Sequence, residues 1–355
     1  MLFSSSMRGS VCTLLISAML LAAPRSEACT RAVYHGPEGR YLTGRTMDWR
    51  DEIISNLWIF PRGMERNGAA GPRSVEWTSR YGSLIVSGYD ISTVDGMNEA
   101  GLVTNLLWLV DAAYPEDDGQ TPRLSLSMWA QYFLDQFATV AEAVTHLKET
   151  PLHAVTGEVP GMPGRMTTVH LSLSDATGDS AILEWIDGEL QIHHDRSYQV
   201  MTNEPRFEDQ LAITRYWNRV DGTVFLPGTS RAEDRFARAS FLINAIPKTD
   251  NTREAAAAVF SVIRNASAPW GISIDDQPNL STTRWRIVAD HKEQLYYFES
   301  VYSPNVFWVN LKQINFAKGS GVRKLDLGPA QRNIFSGEVS AAFVASPPFT
   351  FEPAE

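Results

Sequence analysis

Blocks of strand-like sequence alternate with blocks of paired helices along this chain, and no Gly-rich strand-to-helix turn recurs between them. A parallel βαβ fold needs such a turn at each crossover, so the pattern points to an α+β architecture of antiparallel sheets covered by helices. Residues 29–34 and 41–49 read as a hairpin around Gly36, Pro37 and Gly39. Extended runs follow at 57–60, 81–89 and 102–110, the last after an expected turn over 95–101. The period changes across 124–149, where Leu126, Trp129, Phe133 and Phe137 share one helical face and Thr139 with Glu142 has capping-box spacing; two antiparallel helices are expected there. Strands resume at 167–172, 181–185, 190–193 and 199–202, with Asp187-Gly188 as a hairpin turn. Helices are expected at 208–220, 232–246 and 253–265, the last capped by Asn251 with Glu254. Strands at 284–289, 295–301 and 306–310 close the pattern, and the Pro-rich stretch 160–163 reads as a surface loop.

The first 28 residues stand apart. Arg8 supplies a positive start, residues 11–23 form an almost unbroken apolar run, and Ser26-Glu27-Ala28 places small residues where a signal peptidase cuts. Pro24 and Arg25 break the run before it reaches membrane-spanning length. Residues 1–28 are therefore expected to be a removed signal peptide, leaving residues 29–355 as one exported domain, periplasmic or secreted, with no stable membrane anchor. A lipid-anchored binding protein acylated on the first cysteine is the rival. Such a signal calls for an aliphatic residue three positions before the cysteine, where this chain has Ser26.

Cleavage would leave 327 residues with a net charge of about −11, which disfavours nucleic acid as a partner. Of the two cysteines, Cys12 lies in the signal run, so the mature chain would carry Cys29 alone and no intramolecular disulfide. A lone thiol is usually an inert core residue, but a freshly cut chain terminus is a poor place for one. There, Cys29 would join a thiol to an α-amine. Their reference pKa values, about 8.5 and 7.7–8, let the amine take the thiol proton near neutrality, the chemistry of acyl transfer. Arg45 and Asp48 lie on the partner strand of the hairpin, where a guanidinium would favour thiolate and a carboxylate would orient an ammonium; a plain strand-end ion pair is the other reading.

Five segments taken together carry a resemblance: Cys29-Thr30-Arg31, Gly44-Arg45-Thr46-Met47-Asp48-Trp49, the run from Asp95 through Gly101-Leu102, Thr202-Asn203-Glu204-Pro205, and Leu226-Pro227-Gly228 with Arg235-Phe236. In these, and in their order, the chain resembles the choloylglycine hydrolase and penicillin V acylase family. The resemblance implies an αββα sandwich of N-terminal nucleophile hydrolase type and an amide hydrolase that needs no cofactor or metal. Cys29 would be the nucleophile with its amine as base, Asp48 would orient the amine, and Arg45 would support the thiol. Asn203 would donate to the oxyanion together with a backbone N–H near Trp108, and Arg235 would brace the polar network. Where bile salt hydrolases of the family carry Asn, and some penicillin acylases Tyr, this chain has Trp108. With Trp49, that indole suggests a pocket for aromatic or fatty acyl groups, as in the Gram-negative branch acting on penicillin V and N-acyl homoserine lactones. The expected partner is thus a small N-acyl amide, with a conjugated bile salt as the alternative, and the expected assembly is a homotetramer.

Other chemistry finds less support. His193-His194-Asp195 lacks a third ligand at metal-binding spacing, and neither a Gly-x-Ser-x-Gly elbow nor a phosphate-binding Gly-rich loop occurs. A Cys-His protease would need one of the seven histidines, and none is expected to be essential. Asn265-Ala266-Ser267 fits a glycosylation sequon of consequence only in a eukaryotic secretory pathway.

Overall fold

A computed structural model gives the fold over residues 29–272, 281–303, 305–328 and 333–354. The expected signal peptide, with Cys12 and the cut after Ala28, lies outside the described residues. The hairpin appears as β1 (Thr30–His35) and β2 (Tyr41–Trp49), antiparallel with Thr30 opposite Thr46. On its other edge β1 pairs with Val200–Thr202, Thr30 facing Thr202, and β2 pairs with Thr282–Asp290. The seven-stranded sheet continues through Leu295–Ser300 and Val306–Asn310. A second sheet, of nine strands, has Val103–Trp108 and Ser92–Asn98 at its centre.

The two sheets pack face to face, with residues of both in one apolar core that includes Ala32, Met47, Leu84, Val94, Met97 and Leu107. Helices α1 (Leu126–Gln136) and α2 (Val140–Glu149) cover the outer face of the nine-stranded sheet. Of α3 (Phe207–Val220), α4 (Ala232–Ala245) and α5 (Thr252–Asn265), the last two lie on the seven-stranded sheet. The layers are therefore αββα. Gly44 in β2 explains how closely α5 approaches: a Cβ there would meet Ile263 Cγ1 at 2.6 Å and Val259 Cγ1 at 2.7 Å. No helix among the described residues is long and apolar enough to cross a membrane.

Helix boundaries follow the cap signals. Thr139 accepts from the Glu142 N–H at 3.2 Å and Asn251 Oδ1 from those of Arg253 and Glu254 at 3.0 and 3.2 Å. The expected turn at 95–101 is instead the end of a strand, Ser92–Asn98, with the reversal confined to residues 99–101. Asp and Gly read as turn formers, but here they serve packing. A Cβ on Gly96 would lie 2.7 Å from Leu84 O and 2.9 Å from Leu134 Cδ1 of α1, and Asp95 is buried between the sheets. Asn98 then turns the chain, its Oδ1 accepting from the Ala100 and Leu102 N–H groups while its amide donates to Leu134 O and Phe137 O at the end of α1.

Candidate active site

The register around Thr30 builds the site. With Thr46 on one side and Thr202 on the other, Cys29, one residue beyond, comes beside Met47 and Asp48 of β2 and Asn203 of the following loop. Its thiol lies 3.7 Å from Asp48 O and receives the Asp48 N–H at 3.4 Å and Arg45 Nη2 at 3.9 Å. Burial pushes the thiol pKa up; Arg45, the Asp48 N–H and Arg235 pull it down, while the Asp48 carboxylate adds to the rise.

Asp48 is wholly buried. Its Oδ2 accepts from Thr46 Oγ1 at 3.0 Å, and the same Thr46 oxygen accepts the Thr30 N–H at 2.9 Å. Its Oδ1 is buried without a hydrogen-bond partner. Burial raises the carboxyl to about 6, against the pull of Arg235 and of the Thr283 and Thr46 hydroxyls.

Arg45 is anchored on the opposite sheet. Its guanidinium donates to Leu106 O at 2.7 Å and to Val94 O and Asp95 Oδ2 at 3.3 Å, and stacks 4.8 Å from the Trp285 ring centroid. Asp95 in turn accepts from Asn105 Nδ2 at 2.8 Å and from Tyr296 OH at 2.6 Å. Asp95, Asn105 and Tyr296 were not legible as site residues: Asp95 and Asn105 face each other on neighbouring strands of the nine-stranded sheet, and only the sheet-on-sheet packing brings Arg45 and Tyr296 to them.

Arg235 is the arginine of α4 that faces the site. It donates to Cys29 O at 2.5 Å, Thr30 Oγ1 at 2.6 Å and Asn203 Oδ1 at 3.1 Å, and burial lowers its pKa against the opposing pull of Asp48 and Cys29. Arg231 is exposed and pairs with Glu233, whereas Arg238 holds Pro227 O and Thr229 O. Asn203 Nδ2 donates to Trp108 O at 3.0 Å, so this amide ties the loop after Thr202 to the end of Val103–Trp108. The Leu109 N–H, the first backbone donor past Trp108, is given to Thr168 O at 3.0 Å. Glu204-Pro205 is a cis peptide. Beyond it, Glu184 holds the start of α3, accepting the Phe207 N–H at 3.0 Å, His170 Nδ1 at 2.9 Å and His193 Nε2 at 3.3 Å. Burial alone would raise Glu184, but these donors outweigh it and hold the carboxyl at about 2.

The thiol opens onto a cavity of about 120 Å³ lined mostly by apolar groups, among them Met47, Trp49, Ile53, Val94, Leu106, Trp108 and Val159. Trp49 and Trp108 sit 5.6 Å apart, tilted at 56°, with the Arg165 guanidinium 4.7 Å from the Trp108 ring centroid. Trp49 Nε1 donates to Tyr89 OH at 2.7 Å, which fixes the indole. Both tryptophans therefore border the space beside Cys29. His193 pairs with Glu184 and His194 with Asp179 at 2.8 Å, and no cluster of three metal-ligating side chains occurs among the described residues.

Residues 29–325 match the model of the linear amide C–N hydrolases, choloylglycine hydrolase family. The penicillin V acylase of Pectobacterium atrosepticum is 49% identical, over 97% of this chain and 97% of that protein. The bile salt hydrolase/transferase of Clostridium perfringens is 24% identical, over 81% of this chain and 93% of that protein. The solved structure of penicillin V acylase from Agrobacterium tumefaciens superposes with a TM-score of 0.84 at 57% identity, covering 91% of this chain and 99% of its own. The chain belongs to the choloylglycine hydrolase family of linear amide C–N hydrolases, and it is a hydrolase of carbon–nitrogen bonds.

Proposed function

We propose that the protein is an exported acylase that cleaves N-acyl amides with Cys29 as an N-terminal nucleophile. One observation carries this reading: behind a thiol that faces an apolar cavity, the buried Asp48 has an oxygen with no partner. A new α-amine at Cys29, made by cleavage after Ala28, is a donor of the right charge for it, and an ammonium beside Asp48 would favour the ionised carboxylate. In this scheme the α-amine takes the thiol proton as sulfur attacks the acyl carbon. The tetrahedral oxyanion is met by the second N–H of Asn203 Nδ2, the first being given to Trp108 O. The proton passes to the departing amine, a thioester remains, and water, deprotonated by the same α-amine, releases the acid.

The paired indoles and aliphatic lining favour aromatic or fatty acyl groups, which makes penicillin V and N-acyl homoserine lactones the proposed substrates. Conjugated bile salts are the second reading, supported by the 24% identical relative and opposed by the bulk of Trp108. Export, periplasmic placement and a homotetramer belong to the same proposal. The exposed Tyr216, Val224 and Phe225 are apolar surface that an assembly would cover.

Two measurements test the proposal. Intact-mass analysis of the exported protein is expected to show a chain beginning at unmodified Cys29; a retained preceding residue or a lipid adduct overturns the mechanism. Cys29→Ser is expected to lose turnover in a panel of penicillin V, acyl homoserine lactones and glycine-conjugated bile salts. Faster turnover of the last by the native enzyme would replace the substrate reading.

A further inference from the structure

The C-terminal segment returns to the cavity that holds Cys29. After Val344–Ala345, which pairs with Arg323–Leu325, the chain runs as an irregular strap over residues 346–354. Phe349 and Phe351 fasten it: Phe349 lies 5.2 Å from the Trp58 ring and 5.7 Å from Phe60, and Phe351 shares the Arg66 guanidinium with Phe60. Past these rings the backbone is pinned at both sides. The Glu352 N–H donates to Ile91 O at 2.9 Å, Glu352 O accepts the Ser125 and Ser127 hydroxyls at 3.0 and 2.7 Å, and the Ala354 N–H donates to Ala69 O at 2.8 Å. Glu352 and Pro353, so placed, line the same cavity as Cys29, Trp49 and Trp108.

These anchors have a second property. The strap is held by Ile91, Ser125 and Ser127, whereas the thiol is held by Arg45, Met47 and Asp48. One cavity thus joins two independently built walls, and an acyl group with its carbonyl at Cys29 that fills the space meets the strap. The family match ends at residue 325, before the strap begins, while the likeness to the Pectobacterium acylase covers 97% of the chain and so runs well past that point. The chemistry lies in the shared part, and this wall lies outside it.

Resting on the acylase reading above, we propose that the strap is a specificity element of the acyl pocket, with Pro353 limiting the length of acyl chain the cavity accepts. Proline suits that task. It has a fixed φ and a rigid ring, so the wall keeps its place without help from a side-chain rotamer. A pocket that is one methylene too short discriminates by about tenfold or more.

The test uses the full-length exported enzyme with Pro353→Trp, Pro353→Gly and the Ser125→Ala/Ser127→Ala pair, and measures kcat/KM for short-, medium- and long-chain N-acyl amides. Pro353→Trp is expected to lower the long-to-short ratio of kcat/KM about tenfold or more, and Pro353→Gly and the serine pair to raise it. Cys29 alkylation is expected to keep its native pH dependence in all three, as the thiol's partners are untouched. Folded variants with the native chain-length profile overturn the inference. Should the tryptophan variant not fold, the glycine and serine variants decide the matter alone. Absence of turnover of every N-acyl amide by the native enzyme would instead overturn the acylase reading, and this inference with it.

Discussion

At Cys29 the opposing influences are resolved by single groups. Burial holds the thiol neutral, and the Arg45 charge 3.9 Å away is the largest influence lowering its pKa. Arg45→Gln is expected to move the inflection of Cys29 alkylation to higher pH and, by leaving Asp95 buried without its partner, to cost about 3–5 kcal/mol of stability. Asn203→Ala separates a different role. A donor that acts only on the transition-state oxyanion is worth about 10²–10³ in kcat, so this variant is expected to lose that much with KM little changed and the alkylation inflection unmoved. An unaltered kcat would remove Asn203 from the oxyanion site. Much of this was legible in the sequence, because Arg45, Asp48 and Trp49 lie on the strand that pairs with the one beginning beside Cys29. Arg235 was named on the resemblance, and the helix face shows why it serves the site where Arg231 and Arg238 do not; nothing in the sequence marked Asp95, Asn105 and Tyr296 as the supports of Arg45. Asp95 and Asn105 meet across neighbouring strands, but Tyr296 reaches Asp95 from a strand about 200 residues further along the chain.

The elements position these groups by register and by anchored ends. The loop carrying Asn203 runs from the strand beside β1 into α3, and Glu184 holds that helix start by accepting the Phe207 N–H and two imidazoles. Its carboxyl is depressed to about 2 from an ordinary value near 4.5. A depressed carboxyl contributes stability that is present above the unfolded-state value and lost as pH falls toward the folded-state value, so the loss belongs between pH 4.5 and 2. Glu184 is expected to contribute about 3 kcal/mol of the unfolding free energy lost across that window, so Glu184→Gln should show a shallower slope than the native protein in urea titrations at several pH values. Equal slopes would remove Glu184 as the anchor. Helices were the most legible elements, since their apolar period and caps at Thr139 and Asn251 are local. The strand Ser92–Asn98 was misread because Asp95 and Gly96 obey constraints from Arg45 and α1, which no neighbour in sequence reveals.

For the molecule as a whole, the site is a product of the seam between the sheets. Arg45 reaches from the seven-stranded sheet to Leu106 O and Asp95 of the nine-stranded one, and Tyr296 crosses in the same direction to Asp95 Oδ1. A fully apolar seam would hold the sheets together, but it would leave the angle of the guanidinium at Cys29 unspecified. Legibility reflects this difference: alternation of strand and helix blocks was enough to give antiparallel sheets covered by helices, and the resemblance added the αββα order, whereas the polar bridges depend on how the layers slide. Tyr296→Phe isolates the bridge, because it keeps the ring that fills the seam and removes only the hydroxyl, leaving Asp95 Oδ1 buried without its donor. The variant is expected to lose about 1–3 kcal/mol in urea unfolding with an unchanged m value. Its kcat/KM is expected to fall less than that of Arg45→Gln, since Asn105 and Arg45 itself still hold the other Asp95 oxygen. Native stability in Tyr296→Phe would mean that the sheets dock through their apolar contacts alone. A loss of activity as large as that of Arg45→Gln would make Tyr296, through Asp95, as necessary to the placement of the guanidinium as the arginine's own contacts.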